Sequence, residues 1–497
     1  MRELAISLDP EAREPLYEQI YSYMKHEIQK GQLRAGERLP SSRSLAASLE
    51  VSRSTVDLAY EQLVSEGYLE AVPCKGYYVC RIEGLYSLDP GKEPIREKKT
   101  DAASPWDYDL TPNGIDLESF PYDVWRRLTR NVLLDDSREL FQLGDPKGEW
   151  ELRETISRYL HQARGVSCSP GQVILGAGND YLLMLLSALL GTERRVAMES
   201  PTYKHAYRIF EQLGCPLTTV PVDAQGMSVE QLEASGADTA YVMPSHQYPL
   251  GIVMPIKRRL ELLKWASEKE GRYLIEDDYD SEFRYKGKPV PALQGSDRYG
   301  RVIYIGTFSK SIAPAIRISY LVLPEPLLLE YEAKIARFSS TVSRIDQMVL
   351  NAFIRDGYFE RHLNRMRRIY GRKHDILLEK LRELSGICRI SGENAGVHLL
   401  AEFHNGMGEE EAIRRAAGQR VRVYPLSEYS IGGTQGKRDR AAVLLGYATL
   451  TEEELEGAAE RLIHAWGGSR EQRAEAEAGI CFQAWGKNRE NGNTVFR

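Results

Sequence analysis

Lys310 closes the apolar run VIYI within VIYIGTFSKSIAPAIRISY, and Arg317 follows it in the same stretch. A lysine at the end of a buried strand is desolvated, which lowers its pKa and leaves an amine able to attack a carbonyl. Three further apolar runs stop abruptly at polar loops: VAM before ESPTY (199–203), AYVM before PSHQYP (244–249) and YLI before EDDYD (276–280). These loops supply Tyr203, His246, Asp277 and Tyr279. A fifth stretch, LGAGNDYLLMLLSALL (175–190), passes from a glycine-bearing turn straight into a helical pattern, and the free N–H groups of such a helix start seat a phosphate. A nucleophilic amine, a carboxylate, aromatic faces and an anion seat together match a phosphate-bearing aldehyde, and pyridoxal 5'-phosphate (PLP) suits each piece. In this reading Lys310 forms the Schiff base, and Asp277 pairs with the protonated ring nitrogen. Tyr279 hydrogen-bonds the phenolate oxygen, Tyr203 stacks on the ring, and His246 shares the crevice. Ser309, Arg317 and the amides of Gly178 and Asn179 hold the phosphate.

Such a set needs a scaffold that brings distant loops together. Short, wholly apolar runs are the mark of parallel strands buried on both faces, and open α/β sheets bind ligands outside the carboxyl ends of their strands. Residues 106–465 alternate such runs with helical stretches and predict an α/β domain. Upstream, Leu16, Ile20, Met24 and Ile28 repeat at helical spacing, and Gly31, Gly36 and Pro40 then break the pattern. A short helix over 43–49 and a third opened by Ser52, with Val56, Ala59, Tyr60 and Leu63 on its apolar face, predict a helix-turn-helix. GYLEAVPCKGYYVC adds a hairpin or wing turning at Lys75-Gly76. The division is therefore 1–81, a linker over 82–105 rich in proline, glycine and mixed charge, 106–465, and a polar tail over 466–497.

A chain of 497 residues exceeds one ordinary core. No apolar run reaches the ~18 residues of a membrane span and the first residues lack the apolar core of a signal peptide, so a cytoplasmic location is expected. Six cysteines without a CxxC pair and nine histidines without a ligand spacing indicate neither a disulfide framework nor a metal site. The net charge of −6, and 10 Lys+Arg against 12 Asp+Glu in residues 1–81, mean that any DNA contact comes from a local surface.

Several motifs carry a family resemblance: PLYEQI, LPSSRSLAASLEVSRSTVDLAYEQLVSEGYL, GDPKGEWELRETISRYL, PSHQYPLG, IEDDYDSEFRY, YIGTFSKSIAPAIRISY and HLNRMRRIYGRKHD. Residues 107–465 resemble the fold-type I aminotransferases and residues 15–80 the GntR winged helix-turn-helix. Their fusion in this order resembles the MocR subfamily of bacterial transcription regulators. The resemblance implies an N-terminal winged helix-turn-helix linked to a PLP-dependent, fold-type I aminotransferase-like domain. It also implies a double-stranded DNA operator, a small amino-compound effector and a head-to-tail homodimer. Helix 52–65 would enter the major groove, with Arg43, Ser52, Arg53 and Thr55 meeting phosphates or base edges and Lys75 and Gly76 at the wing tip. Arg34 and Arg38 add local positive charge.

The chain departs from the aminotransferase pattern at three places. Tyr248-Pro249-Leu250-Gly251 replaces Asn-Pro-x-Gly, so the asparagine that tunes the cofactor's phenolate is missing. Leu143 stands where a tyrosine reaches the neighbouring subunit's phosphate. Leu444 lies near the place of the substrate-carboxylate arginine, with Arg438 and Arg440 the nearest substitutes and His205 a further candidate effector contact. Two readings follow: a PLP-dependent regulator that senses an amino compound, or PLP itself, without efficient turnover, and a working aminotransferase with an accessory DNA-binding head.

Overall fold

A computed structural model of the chain describes residues 6–10, 12, 14–81, 105–134, 138–285, 290–392, 395–431 and 441–467. The linker and tail expected from composition fall almost wholly outside these residues, at 82–104 and 468–497. Contacts divide the chain into two units, Met1–Ala102 and Ala103–Arg497.

The first unit has three helices and a hairpin: α1 (Leu16–Gln29), α2 (Ser42–Ser48), α3 (Arg53–Ser65), β1 (Leu69–Val72) and β2 (Gly76–Val79). Ile20, Met24 and Ile28 of α1 pack with Leu45 of α2 and with Val56, Ala59, Tyr60 and Leu63 of α3 in one core. Both short helices start on a serine cap. Ser41 accepts from the Ser44 amide and Ser52 from the Thr55 amide, satisfying donors that a helix start otherwise leaves bare. The helix expected at 43–49 thus begins one residue earlier. Strands β1 and β2 pair antiparallel from Leu69↔Val79 to Val72↔Gly76, and the turn between them needs Cys74 at φ 61° and Gly76 at φ 105°.

The second unit contains β3 (Tyr108–Asp109), β4 (Val173–Gly176), β5 (Val196–Ser200), β6 (Leu217–Asp223), β7 (Gly226–Met227), β8 (Thr239–Val242), β9 (Tyr273–Asp278), β10 (Val302–Thr307) and β11 (Ser319–Val322), followed by β12 (Cys388–Ser391), β13 (His398–Phe403), β14 (Val421–Arg422), β15 (Tyr424–Pro425) and β16 (Ala442–Gly446). Its main sheet runs β4-β11-β10-β9-β8-β5-β6-β7. The four strands expected to be parallel are so: β5 pairs with β8, β8 with β9 and β9 with β10 in parallel register. Both faces are covered. Ile275, Ile303 and Ile305 pack with Leu182 and Leu186 on one side, while Leu274 and Val302 pack with Leu262 and Trp265 on the other. This two-sided burial explains why the runs read as continuously apolar. A smaller sheet, β12-β13-β16-β15, and the pair β14-β3 complete the unit.

Several strand boundaries differ from expectation, and the one at β9 bears on the site. Strand β9 runs on through Glu276, Asp277 and Asp278 instead of ending at Ile275. Alternation disposes of the charges. Glu276 accepts from the amides of Leu293 and Gln294 at 2.7 and 2.8 Å, and Asp278 is paired with Arg164 at 2.7 Å. Only Asp277, in phase with Ile275, is turned to the opposite face.

Candidate functional site

The carboxyl ends of β5, β8, β9 and β10 border a crevice that opens to solvent. Asn179, Tyr203, Asp277, Tyr279, Ser309, Lys310 and Arg317, all read from the sequence, line it. Asn113, Asp180, Met243, Tyr248 and Thr307 line it too and were not assigned from sequence.

Lys310 follows β10, and its Nζ donates to the carbonyl of Asn113 at 2.7 Å. Burial lowers its pKa to about 8, against an opposing pull from Asp280, which puts the amine within reach of its nucleophilic form near neutral pH. Oδ2 of Asp277 accepts from the buried Tyr241 hydroxyl, while Oδ1 is buried without a partner. Burial raises this carboxyl to about 7, and Asp278 and Asp280 add to the effect. A carboxylate kept out of water with one free oxygen toward a cavity calls for a cationic or N–H partner.

The anion seat forms where β4 meets the helix Asn179–Leu190. The Gly178 amide donates to the Gly176 carbonyl at 2.8 Å. The amide of Asn179 and those just after it have no carbonyl one turn back. Asn179 Oδ1 and Ser309 Oγ are buried without partners. Arg317 donates through Nη2 to the Ala177 carbonyl at 3.1 Å and to Asp180 Oδ2 at 3.2 Å. Its guanidinium lies over Gly178, where a Cβ would come within 2.2 Å of Nη2.

Tyr203 caps the helix Lys204–Gln212, and burial takes its hydroxyl to about 12, so it presents a neutral ring. The Tyr279 hydroxyl lies 3.0 Å from His246 Nδ1. His246 itself does not line the crevice. It is drawn behind Tyr279 by Asp280, whose two oxygens lie 3.0 and 2.9 Å from the same Nδ1.

His205 is likewise outside the lining. It is exposed, with Nε2 2.8 Å from Asp180 Oδ1. Arg438 and Arg440 lie outside the described residues. Leu444 is a fully buried member of β16, opposite Leu400 and Tyr424. The Tyr248 hydroxyl donates to Asn113 Oδ1 at 3.3 Å and lies 3.1 Å from the Tyr429 hydroxyl. Leu143 is 86% exposed.

The orphaned oxygens of Asp277, Asn179 and Ser309, together with a lysine of lowered pKa, fit PLP. They offer a cation partner's acceptor, phosphate-end polar groups and an amine in one cavity. Sequence reasoning missed Asn113 because TPNGID carries no periodicity and its Asn-Gly pair reads only as a turn. Tyr241 was missed because an aromatic in a strand reads as core.

In the first unit, Arg43, Arg53 and Lys75 are exposed and Gly76 sits at the wing turn. Arg53 is paired with Asp57 at 3.3 Å. Ser52 Oγ is taken up by the helix cap, 2.8 Å from Ser54 Oγ and 2.7 Å from Thr55 Oγ1, so Ser52 and Thr55 shape the helix start. Arg38 lies against the wing, facing Tyr78 across an isolated bridge, and Arg34 is exposed. Among the described residues there is no helix long and apolar enough to cross a membrane, and no cluster of three or more His, Cys, Asp or Glu able to hold a metal ion.

Residues 16–79 match the family described as bacterial regulatory proteins, gntR family, and residues 110–462 match aminotransferase class I and II. The chain is 40% identical to the uncharacterized HTH-type transcriptional regulator YdeL of Bacillus subtilis (strain 168), covering 91% of this chain and 97% of that one. It is 34% identical to the probable rhizopine catabolism regulatory protein MocR of Rhizobium meliloti, covering 89% and 92%. Among solved structures, the kynurenine aminotransferase of Pyrococcus horikoshii superposes with a TM-score of 0.64 at 26% identity, covering 72% of this chain and 90% of that one. Because both halves match in this order and regulators of the same build align along nearly their whole length, the chain belongs to the MocR-type regulators of the GntR family, with an N-terminal helix-turn-helix and a fold-type I aminotransferase-like domain.

Proposed function

We propose that this regulator binds PLP in the crevice at Lys310 and responds there to an amino compound by changing its grip on an operator. The observation that carries the reading is the pairing, in one cavity, of a lysine with pKa lowered to about 8 and a buried carboxylate with one free oxygen. PLP, when bound, supplies an aldehyde that condenses with amines and a ring that withdraws electrons from them.

The chain's own groups have distinct tasks. Lys310 offers its amine from the end of β10. Asp277 Oδ1 accepts a hydrogen bond from a protonated ring nitrogen. Tyr203 covers a ring face, and the Tyr279 hydroxyl, positioned by His246, addresses the ring's oxygen. Ser309, Arg317 and the first-turn amides from Asn179 onward bind the phosphate, with Gly178 leaving room for the guanidinium. His205, Arg438 and Arg440 are the proposed effector contacts. In the reader unit, Arg43, Arg53 and Lys75 contact DNA, with Ser52, Thr55 and Gly76 setting the local backbone. Two heads on one operator are expected from a head-to-tail homodimer, and an effector shifts their arrangement only by binding one arrangement more tightly.

The test is an absorbance titration of PLP-loaded protein with a panel of amino compounds, each followed by a 2-oxo acid, alongside footprinting. A compound that changes the visible band once and alters the footprint supports the sensor. Repeated cycling with the oxo acid supports the second reading, an aminotransferase with an accessory DNA head, which the aminotransferase structures matched at 26% identity keep in view. Lys310→Ala should lose the visible band and the effector response while keeping DNA binding.

A further inference from the structure

We propose that Asp180 sets how tightly the crevice holds a phosphate, because its carboxylate is a built-in competitor for Arg317. The inference rests on the PLP reading and concerns the affinity and selectivity of that site.

Asp180 lies in the first turn of the helix Asn179–Leu190 and lines the crevice. One carboxylate oxygen is 3.2 Å from Arg317 Nη2 and the other 2.8 Å from His205 Nε2. An anion that arrives at Arg317 Nη2 meets partners already in place. The same Nη2 donates to the Ala177 carbonyl at 3.1 Å, and the guanidinium is seated over the bare Cα of Gly178. Besides Lys310, whose amine is reserved for the carbonyl end of the ligand, Arg317 is the cation among the described lining residues. Whatever engages Arg317 therefore decides the phosphate's reception.

A carboxylate in the first helical turn also takes up the favourable field that an anion would find there. A phosphate monoester carries close to two negative charges at neutral pH. It must displace Asp180 from Arg317 or lie beside a like charge, and either lowers affinity. His205 holds the far oxygen and keeps the carboxylate at its post. The phosphate end of the ligand is thereby weakened selectively, while the aldehyde end, at Lys310, is untouched. Such a site exchanges its cofactor more readily than the same pocket with a neutral side chain at this position.

The experiment measures dissociation constants of PLP and of unphosphorylated pyridoxal, and inhibition by inorganic phosphate, for the full chain as wild type, Asp180→Asn and Asp180→Ser. Half-exposed charge pairs are weak one at a time, and a phosphate presents about two charges, so the expected gain is about tenfold in PLP affinity. Inorganic phosphate should compete more strongly to the same degree, and pyridoxal binding should stay as it was. A merely structural role for Asp180 would not improve one ligand and spare the other. Unchanged or weakened PLP binding in both variants overturns the proposal and makes Asp180 a support for Arg317. If wild-type protein and Arg317→Ala bind PLP and pyridoxal alike, the phosphate seat itself fails, and the PLP reading falls separately from the Asp180 claim.

Discussion

Replacing Gly178 with alanine should cost both stability and phosphate affinity, by two separable routes. Gly178 has φ 91° and ψ 170°, a region that side-chain-bearing residues avoid at a cost of about 1–3 kcal/mol. The new Cβ would lie 2.2 Å from Arg317 Nη2, 2.5 Å from Cζ and 3.0 Å from Nη1. All three atoms end a flexible side chain, so the clash is relieved by swinging Arg317 away. That movement gives up its bonds to the Ala177 carbonyl and Asp180, and a half-exposed ion pair is worth about 1 kcal/mol or less. The sum is a loss of about 1–4 kcal/mol, which a domain of ordinary stability, ~5–15 kcal/mol, survives. Urea denaturation gives the stability change, and the ratio of PLP to pyridoxal dissociation constants reads the loss of the guanidinium from the phosphate seat. Arg317→Ala should reproduce the change in ratio without the backbone cost. In the double variant the two effects should fall short of additivity, because the clash has no partner. A Gly178→Ala protein with the wild-type denaturation midpoint and the wild-type ratio would refute the geometry on which this reasoning stands.

Other outcomes are expected with the same directness. Asp277→Asn keeps the shape and can keep a Tyr241 contact but loses the charge, so PLP affinity should fall at pH 8 and much less at pH 6, where a carboxyl raised to about 7 is already largely protonated; dissociation constants across this range check it. Arg53→Ala should lower specific operator affinity by about 1–3 kcal/mol without changing PLP content, and an unaltered footprint would remove α3 as the reading helix. Glu199 is fully buried, and burial raises its pKa to about 8 from the ordinary 4.5, against an opposing pull from Gln247. Its folded form holds the proton more tightly, so its contribution is neutral below pH ~4.5 and increasingly destabilising as pH rises toward 8. Glu199→Gln should accordingly gain about 3 kcal/mol over wild type at pH 7 and little at pH 5, measured by denaturation at the two pH values.

The sequence exposes those features of the site that depend on strand ends. Lys310 and Asp277 stand where apolar runs meet polar loops, and two-sided burial makes those runs visible without a structure. The direction of a loop side chain is another matter. His246 follows β8 just as Tyr203 follows β5, yet Asp280 pulls it behind Tyr279, and the spacing of the two residues in the chain does not announce that pairing. Gly178 reads from sequence as a phosphate-loop glycine, and the structure adds that its bare Cα leaves room for Arg317. Leu444 was located in its strand, and only the register with β13 and β15 shows that its side chain is sealed in the core. Asn113 is separated from Lys310 by nearly two hundred residues, and no local pattern points one toward the other.

Asn113 also connects Lys310 to the rest of the domain. Its carbonyl accepts from Lys310 Nζ at 2.7 Å and its Oδ1 from the Tyr248 hydroxyl at 3.3 Å. The Tyr248 hydroxyl also reaches the Tyr429 hydroxyl at 3.1 Å. This side chain thus ties three segments of the domain together. The segment bearing Asn113 is the first stretch of the second unit, in direct covalent continuity with the residues that lead from the DNA reader. Lys310 and Tyr248 are thus both tied to Asn113. Tyr248→Phe removes the hydroxyl and leaves the ring packed, so it should preserve PLP uptake and DNA binding while weakening the dependence of the footprint on an amino compound. A full response in this variant would mean that the signal leaves the crevice by another route.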